Sequence, residues 1–512
     1  MEVLSLVRST RNSFALVNKI PPDVLSLIPN CWEDDERDKA LIKLTHVCHG
    51  WRELFTSHPL LWTRLDCISV DKTKVYIERS KSSPLEIFLA QTDDMLGWEE
   101  AFILTVPHIG RLRTLSVSGN PAQVLPVLGE HLFCPVPLLE NLRINLICDQ
   151  VPILPDKLFN GDLSSLREMG IGGVITPLPW RGLSNLTAFN LCHVPEEQIH
   201  VSQLLNFFES SPNLHDILLH DSIPNSCDAP TKRVVSLPYL KELIIVAQPP
   251  HSILLNHLSI PPGALLHSGF AYSGTESPIP TYLPKSPDNL HNLSHITAAN
   301  LHFGPEQRYA RLSGPTGELY VLGDWIPGVD GPHAGTSVFF RTLLNRFDVS
   351  RIQWLTISLF NCQPHVTRVE EWSIYKTLRS MEELRTLTLT RCANLPFILT
   401  LNPGKNTSKL VLCPKLEEII LYLKRPDQFH INEILSMAEG RTSRGAKLLA
   451  ITIVSMEALA PTKEVFQLRK HVSRVEYKFD DAPPEWDAPP ATDITGSGVA
   501  RRAGGRFAVT LS

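Results

Sequence analysis

The sequence predicts an α/β chain, with a small all-helical segment at its N-terminus and a long repeat array of helices and parallel strands behind it. Three observations lead there. Bulky apolar residues recur at helical spacing between Val17 and Asp66. From Leu112 onward a pattern of the form L-x-x-L-x-L returns at intervals of roughly 20 to 32 residues. The composition, 43% hydrophobic and 20% charged, supplies a sizeable core and is not that of a chain too polar to fold.

The same bulk properties exclude several classes of function. At 512 residues the chain could hold about three conventional domains or one extended repeat body. A net charge of −5 offers no basic field to concentrate a phosphate backbone, so nucleic acid is not an expected partner. No run approaches the roughly 18 consecutive apolar residues of a membrane span. The stretch from Met1 to Val17 is broken by Arg8, Ser9, Thr10 and Arg11. Neither signal peptide nor anchor is expected, no membrane partner, and the expected compartment is cytoplasmic, nuclear or both. The ten cysteines form no C-x-x-C pair, and reduced, mostly buried thiols are expected, with Cys48, Cys192, Cys362 and Cys392 read as small buried hydrophobes. The N-glycosylation patterns at Asn185, Asn292 and Asn406 have meaning only in a secretory compartment and are read as chance.

The helical segment, residues 17–66, reads element by element. Pro21 and Pro22 suit a first helical turn, and Val24, Leu25 and Ile28 continue it until Pro29 stops it. After the acidic residues Glu33, Asp34, Asp35 and Glu36, with Asp38 as a candidate cap, Leu41, Ile42, Leu44, Thr45, Val47 and Cys48 return at helical spacing. Trp51, Leu54 and Phe55 keep the period, and Leu60, Leu61, Trp62 and Leu65 follow Pro59. About fifty residues bury little core alone, so a segment this rich in bulky apolar residues completes its burial against something else. From the residues alone, that something is a partner protein or the repeats behind it.

The order IPPDVLSLIP, then LIKLTHVCHGWRELF, then PLLW, resembles the F-box. The shared features are a Pro-containing first helix, a Leu-rich second helix ending in Val-Cys, a Trp three residues after the Cys, and a closing Leu-Trp. The resemblance implies docking on a Skp-family adaptor of a cullin-RING ligase. The matching positions are Ile20, Pro21, Pro22, Val24, Leu25, Ile28, Leu41, Leu44, Val47, Cys48, Trp51 and Arg52. Leu61 and Trp62 match the closing motif, whose implied role is internal packing. Ile20 stands where Leu is usual, and the acidic stretch from Asn30 to Arg37 is longer than the usual link between the first two helices.

Residues 67–480 carry the repeats. The triplets are Leu112, Leu115, Val117; Leu139, Leu142, Ile144; Leu166, Met169, Ile171; Leu186, Phe189, Leu191; Leu214, Ile217, Leu219; and Leu240, Leu243, Ile245. A second series, with room for a full helix per unit, runs Ile352, Leu355, Ile357; Leu384, Leu387, Leu389; Leu416, Ile419, Leu421; and Leu448, Ile451, Ile453. Helical stretches begin at Val201, Glu370 and Phe429. The predicted architecture is a leucine-rich-repeat-like α/β solenoid with a curved parallel sheet, degenerate because the regular Asn or Cys is missing. Pro- and Gly-rich stretches over 259–289 and 324–337 are expected as loop insertions, either specificity loops or variable surface, and residues 482–512 as a disordered tail.

Chemistry is sparse. GRTSRGAK, from Gly440 to Lys447, puts Lys two residues after the second Gly and omits the following Ser or Thr, so it is not a phosphate loop. No G-x-S-x-G or H-E-x-x-H is present, and the nineteen histidines show no ligand spacing. A nucleophilic cysteine needs a spatially adjacent base, which a sequence does not reveal. No active site, metal or cofactor is expected.

The whole layout, including DKTKVYIERSKSSPLEIFL from Asp71, resembles the large F-box families of mushroom-forming fungi. That resemblance implies a substrate-recognition subunit of an SCF-type ubiquitin ligase, with the adaptor and through it a cullin at one end and an unknown protein substrate on the repeats. The alternative is a non-catalytic scaffold that uses the same helices but delivers nothing for ubiquitination.

Overall fold

A computed structural model describes residues 10–479 apart from 12–13, 33, 91–96, 147–150, 155–157, 162, 176–182, 196–197, 225, 231, 248–251, 270–286, 304–306, 325–345, 360–367, 392–393, 407–409, 424–427 and 456–462. The protein is mixed α/β, with helices and mostly parallel strands, and divides into two compact units, Met1–Val194 and Pro195–Ser512. No described helix is long and apolar enough to cross a membrane.

The first unit opens with short helices. Helix α1 (Pro22–Leu25) starts at a proline whose missing amide hydrogen is no loss in the first turn, and it gives way to a 3-10 turn at Ile28–Cys31. Helices α2 (Asp34–Thr45) and α3 (His49–Ser57) pack on each other through buried Leu41, Trp51 and Phe55. The Trp51 and Phe55 rings meet edge to face, 5.6 Å between centroids. A 3-10 turn at Pro59–Trp62 then leads into strand β1 (Arg64–Leu65).

Helix α4 (Val70–Ser80) is capped by Ser69, whose hydroxyl accepts from the Lys72 amide. Strand β2 (Leu85–Ala90), helix α5 (Trp98–Ile103), strand β3 (Leu112–Ser118) and helix α6 (Pro121–His131) follow, then β4 (Asn141–Asn145), β5 (Glu168–Gly172) and β6 (Ala188–Cys192). The six strands pair in parallel and in sequence order. Because side chains alternate across a strand, the register stacks one apolar row, Leu65, Ile87, Leu115, Leu142, Met169 and Phe189, and a second, Leu89, Val117, Ile144, Ile171 and Leu191. Residue 66 is therefore no boundary between helices and sheet: Leu65 already belongs to the sheet core.

The second unit begins with α7 (Val201–Ser210), which buries Val201, Leu204, Leu205, Phe207 and Phe208. Strand β7 (Asp216–His220), the two-residue β8 (Val235–Ser236), β9 (Glu242–Val246), helix α8 (Ser252–Leu255), the two-residue β10 (Leu258–Ser259) and β11 (Leu265–Gly269) follow. Next come β12 (Ala298–Phe303), β13 (Gln307–Gly314), β14 (Gly317–Asp324) and β15 (Trp354–Leu359). Helix α9 (Arg368–Ser380), β16 (Thr386–Arg391), α10 (Asn394–Leu401), β17 (Glu418–Leu423), α11 (Gln428–Thr442), β18 (Ala450–Ser455), α12 (Lys463–Leu468) and β19 (Arg474–Phe479) complete it.

Here the order departs from simple succession. β12, β13 and β14 form an antiparallel meander inside a sheet that is otherwise parallel, with β14 beside β11 and β12 beside β15. The core row passes straight through it: Ile217, Leu243, Leu266, Leu319, Leu312, Ala299, Leu355, Leu387, Ile419 and Ile451 lie in register. The β13–β14 turn admits only glycine at its ends. A Cβ on Gly314 would fall 1.8 Å from the His295 carbonyl oxygen, and Gly317 has φ +141° with the Ala264 carbonyl oxygen 2.7 Å from where a Cβ would be.

Every triplet position named from the sequence is buried, none more than 3% exposed, and the helices expected from Val201, Glu370 and Phe429 are present as α7, α9 and α11. Three expectations are corrected or fall outside. The stretch 259–289, expected as a loop, contributes β11 to the sheet, because Leu266 supplies a core side chain between β9 and β14; residues 270–286 lie outside the described residues. The expected loop at 324–337 begins at the last residue of β14 and otherwise lies outside them, as does the tail 482–512. The cysteines are less buried than expected: Cys67, Cys192 and Cys413 are buried, Cys48 half-buried, and Cys31, Cys134 and Cys227 exposed, while Cys362 and Cys392 lie outside the described residues.

Candidate functional site

The N-terminal helices are built on apolar doublets, and each doublet sends one side chain in and one out. Residues one apart on a helix point about 100° apart, so where only a narrow side of a helix is covered an adjacent apolar pair splits between core and surface. Leu25 is buried and Val24 is 49% exposed; Leu41 is buried and Ile42 is 45% exposed. Leu27 and Val47 are more exposed still, at 58% and 56%. Val24 and Leu27, three residues apart, lie along one side of the helical turn, and Ile20, which precedes it in extended backbone, is exposed as well. Phe14, Leu16 and Val17, just before it, are exposed as well.

The positions matched to the adaptor interface therefore separate into three groups. Ile20, Pro21, Pro22, Val24, Val47 and Arg52 are exposed; Ile28, Leu44 and Cys48 are half-buried; Leu25, Leu41 and Trp51 are buried and hold the helices together. Leu61 and Trp62 are buried. Sequence reasoning missed Leu27 and Ile42 as surface residues, although the doublets Leu27-Ile28 and Leu41-Ile42 were the signal that two apolar faces exist. Arg52 also acts within the helices, where its Nε donates to the Thr45 carbonyl at 3.1 Å and closes the α2–α3 turn.

This surface is fixed to the sheet of its own unit. Trp62 Nε1 donates to the Phe55 carbonyl at 2.8 Å, its ring meets Tyr76 edge to face at 4.9 Å, and the Arg79 guanidinium lies 4.3 Å over it. Lys72 Nζ donates to Asp38 at 2.6 Å and also to Asp66. Burial opposes the charge on Lys72, yet the hydrogen bonds to Asp38 and Asp66 outweigh it and hold the ammonium above its ordinary pKa. Burial and the same carboxylates push the Tyr76 phenol upward, and burial takes the Cys67 thiol to about 12.

The open faces of the two sheets carry different chemistry. In the first unit Phe88, Ser116, Arg143 and Gly170 form one cross-strand row, and Ser118, Asn145 and Gly172 the next, a mostly polar face on which Arg143 pairs with Glu168 at 3.4 Å. In the second unit the corresponding face carries imidazoles and phenols. His302 stacks on Tyr309 with 4.7 Å between centroids, Tyr309 on Tyr320 at 5.7 Å, and His267 lies 5.9 Å from Tyr320. Beside them Arg311 holds Glu318 through two hydrogen bonds, 2.7 and 3.0 Å. Tyr320 is only 4% exposed and its hydroxyl has no hydrogen-bond partner among the described residues; burial, then Tyr309, pushes its phenol upward.

A cleft of about 390 Å³ in the first unit is lined by Arg37, Arg64 and Arg113 with Glu86, Trp32 and Leu60. Its charges are partly answered, since Arg113 pairs with Glu140 at 2.9 Å and Arg64 lies 4.2 Å over the Phe88 ring. Within neither unit taken alone do three metal-ligating side chains converge among the described residues. What the arrangement offers is adhesion: an apolar helical surface on a rigid mount, and two polar or aromatic sheet faces. The chain matches no known protein family, and no curated protein matches it.

Proposed function

We propose that this chain is a substrate-recognition subunit of an SCF-type cullin-RING ubiquitin ligase. Residues 17–66 act as the F-box, which docks on a Skp-family adaptor and through it on a cullin, and the strand-and-helix array acts as a leucine-rich-repeat-like solenoid that holds a protein substrate. The observation that carries the reading is the set of exposed apolar side chains Val24, Leu27, Ile42 and Val47 on helices held by buried Leu25, Leu41, Trp51 and Phe55. Apolar side chains in such density on so small a helical segment favour a protein partner that covers them. Substrate recognition falls to the open sheet faces, where side chains are least constrained by the core. The chemistry of ubiquitin transfer belongs to the partners, which gain a high effective concentration of substrate lysines. The expected compartment remains cytoplasmic, nuclear or both.

The test is binding of the intact chain to purified Skp-family adaptor, with a surface variant and a core variant in parallel. Val24→Asp with Leu27→Asp removes apolar contact and leaves the helices folded by circular dichroism, and adaptor binding weakens by about 2 to 4 kcal/mol, some 30- to 1,000-fold. Trp51→Ala loses binding together with helical signal. Adaptor binding unchanged by the surface pair rejects the docking assignment. Adaptor binding without copurification of a cullin favours the scaffold reading.

A further inference from the structure

Cys227 and His257, thirty residues apart in the chain, meet in the second unit with Sγ 3.1 Å from Nε2. The sulfur is on an exposed residue and the imidazole on one only 4% exposed. The other ring nitrogen, Nδ1, lies 2.7 Å from the Arg233 carbonyl oxygen. A carbonyl can only accept, so Nδ1 carries the hydrogen and Nε2 presents its lone pair to the thiol. The alternative acceptor for the S–H, the Ala229 carbonyl, is farther at 3.6 Å.

The imidazole is not free to turn away. The Val235 amide donates to the His257 carbonyl at 2.8 Å, part of the β8–β10 pairing, and the His257 amide donates to Leu254 at 2.9 Å. Arg233, whose carbonyl orients the ring, is itself held on α7 through Asn206 and Glu209 at 2.7 and 2.9 Å. On the thiol side the neighbouring Asp228 carboxylate accepts the Ser202 amide at 2.9 Å and fixes residue 228 on the first turn of α7. A nucleophile, a base within reach and a third group that orients the base are the arrangement that activates a thiol.

We propose that Cys227 is a reactive thiol, activated by His257, that forms mixed disulfides with small disulfides such as glutathione disulfide. The proton moves from Sγ to Nε2, the thiolate attacks one sulfur of the disulfide, the S–S bond breaks, and the leaving thiolate takes the proton back from the imidazolium. The disulfide is the oxidant and leaves as one thiol; Cys227 becomes the mixed disulfide. This site is independent of the adaptor and substrate assignments.

The experiment measures thiol–disulfide exchange on the intact native chain at pH 7, with DTNB and then with glutathione disulfide, and resolves each cysteine by peptide mass spectrometry. Cys31 and Cys134 are exposed in the same molecule and serve as internal references; buried Cys67 and Cys413 report unfolding. An ordinary thiol is about 3% thiolate at pH 7, so a base can raise that fraction about 16-fold before half the thiol is ionised, and with a Brønsted slope of about 0.5 the exchange rate then rises about threefold. Cys227 is therefore expected to react about threefold faster than Cys31 and Cys134. His257→Asn, which keeps a donor for the Arg233 carbonyl and removes the base, brings it down to their rate. Wild-type Cys227 reacting no faster than the two references overturns the proposal, and this comparison stands even if the variant unfolds. A fast Cys227 whose rate survives His257→Asn in a folded chain overturns the assignment of His257.

Discussion

The sheets of the two units are built on the same kind of core and differ in almost everything outside it. In the first, six strands succeed one another in parallel and the open face carries Ser116, Ser118, Arg143, Asn145 and glycines. In the second, an antiparallel meander enters between β11 and β15, and the face carries His267, His302, Tyr309 and Tyr320. The rows of buried side chains take no notice: Leu266, Leu319, Leu312, Ala299 and Leu355 continue in register through two reversals of chain direction. A sheet core asks only for an apolar side chain at alternate positions, whichever way the strand runs. Connectivity and outer-face chemistry are thus free to change together, and the difference between the units lies on the faces turned away from the core.

If the cores are equivalent, Leu142→Ala in the first unit and Leu387→Ala in the second should each cost about 2 to 5 kcal/mol, read from urea midpoints at constant slope. Unequal costs beyond that spread would break the equivalence. The meander should be less forgiving at its turn: Gly314→Ala drives a Cβ into the His295 carbonyl and is expected to cost about 1 to 3 kcal/mol. Gly170→Ala in the first unit meets only side chains at ordinary contact distance, Arg143 at 3.5 Å and Asn190 at 3.9 Å, and should be neutral or stabilise by up to about 1 kcal/mol. On the aromatic face, Tyr320→Phe removes a buried hydroxyl without a partner and should stabilise by about 1 kcal/mol. On the polar face Ser116→Ala should change stability by less than about 0.5 kcal/mol while remaining free to alter partner binding.

Leucine spacing made most strands of both sheets legible, because a triplet at intervals of three and two forces its members onto one buried face of a strand and the turn before it. The meander was not legible for the same reason. Its core residues, Ala310 and Leu312 on β13 and Leu319 and Val321 on β14, alternate without forming such a triplet, in a stretch to which the leucine spacing assigned neither strand nor loop. The helices at the N-terminus could be read from their period, but which half of each apolar doublet faces outward depends on what α2 packs against. Nor could any local pattern join Cys227 to His257, since the pair is brought together by β8 and β10, two-residue strands with no signature of their own.

The clamp around Lys72 and Trp62 bears on where this protein can be cut. Severing the chain after Asp66 would strip Trp62 of the Tyr76 edge and the Arg79 guanidinium, and leave Asp38 and Asp66 without their shared ammonium. It would also leave Leu65 without Ile87 beside it. The first sixty-odd residues are therefore not a cassette to be transplanted onto another body. Any heterologous graft that keeps them intact has to take α4 and β2 along, and a fragment trimmed to the helices alone begins life with its best-packed tryptophan turned toward water.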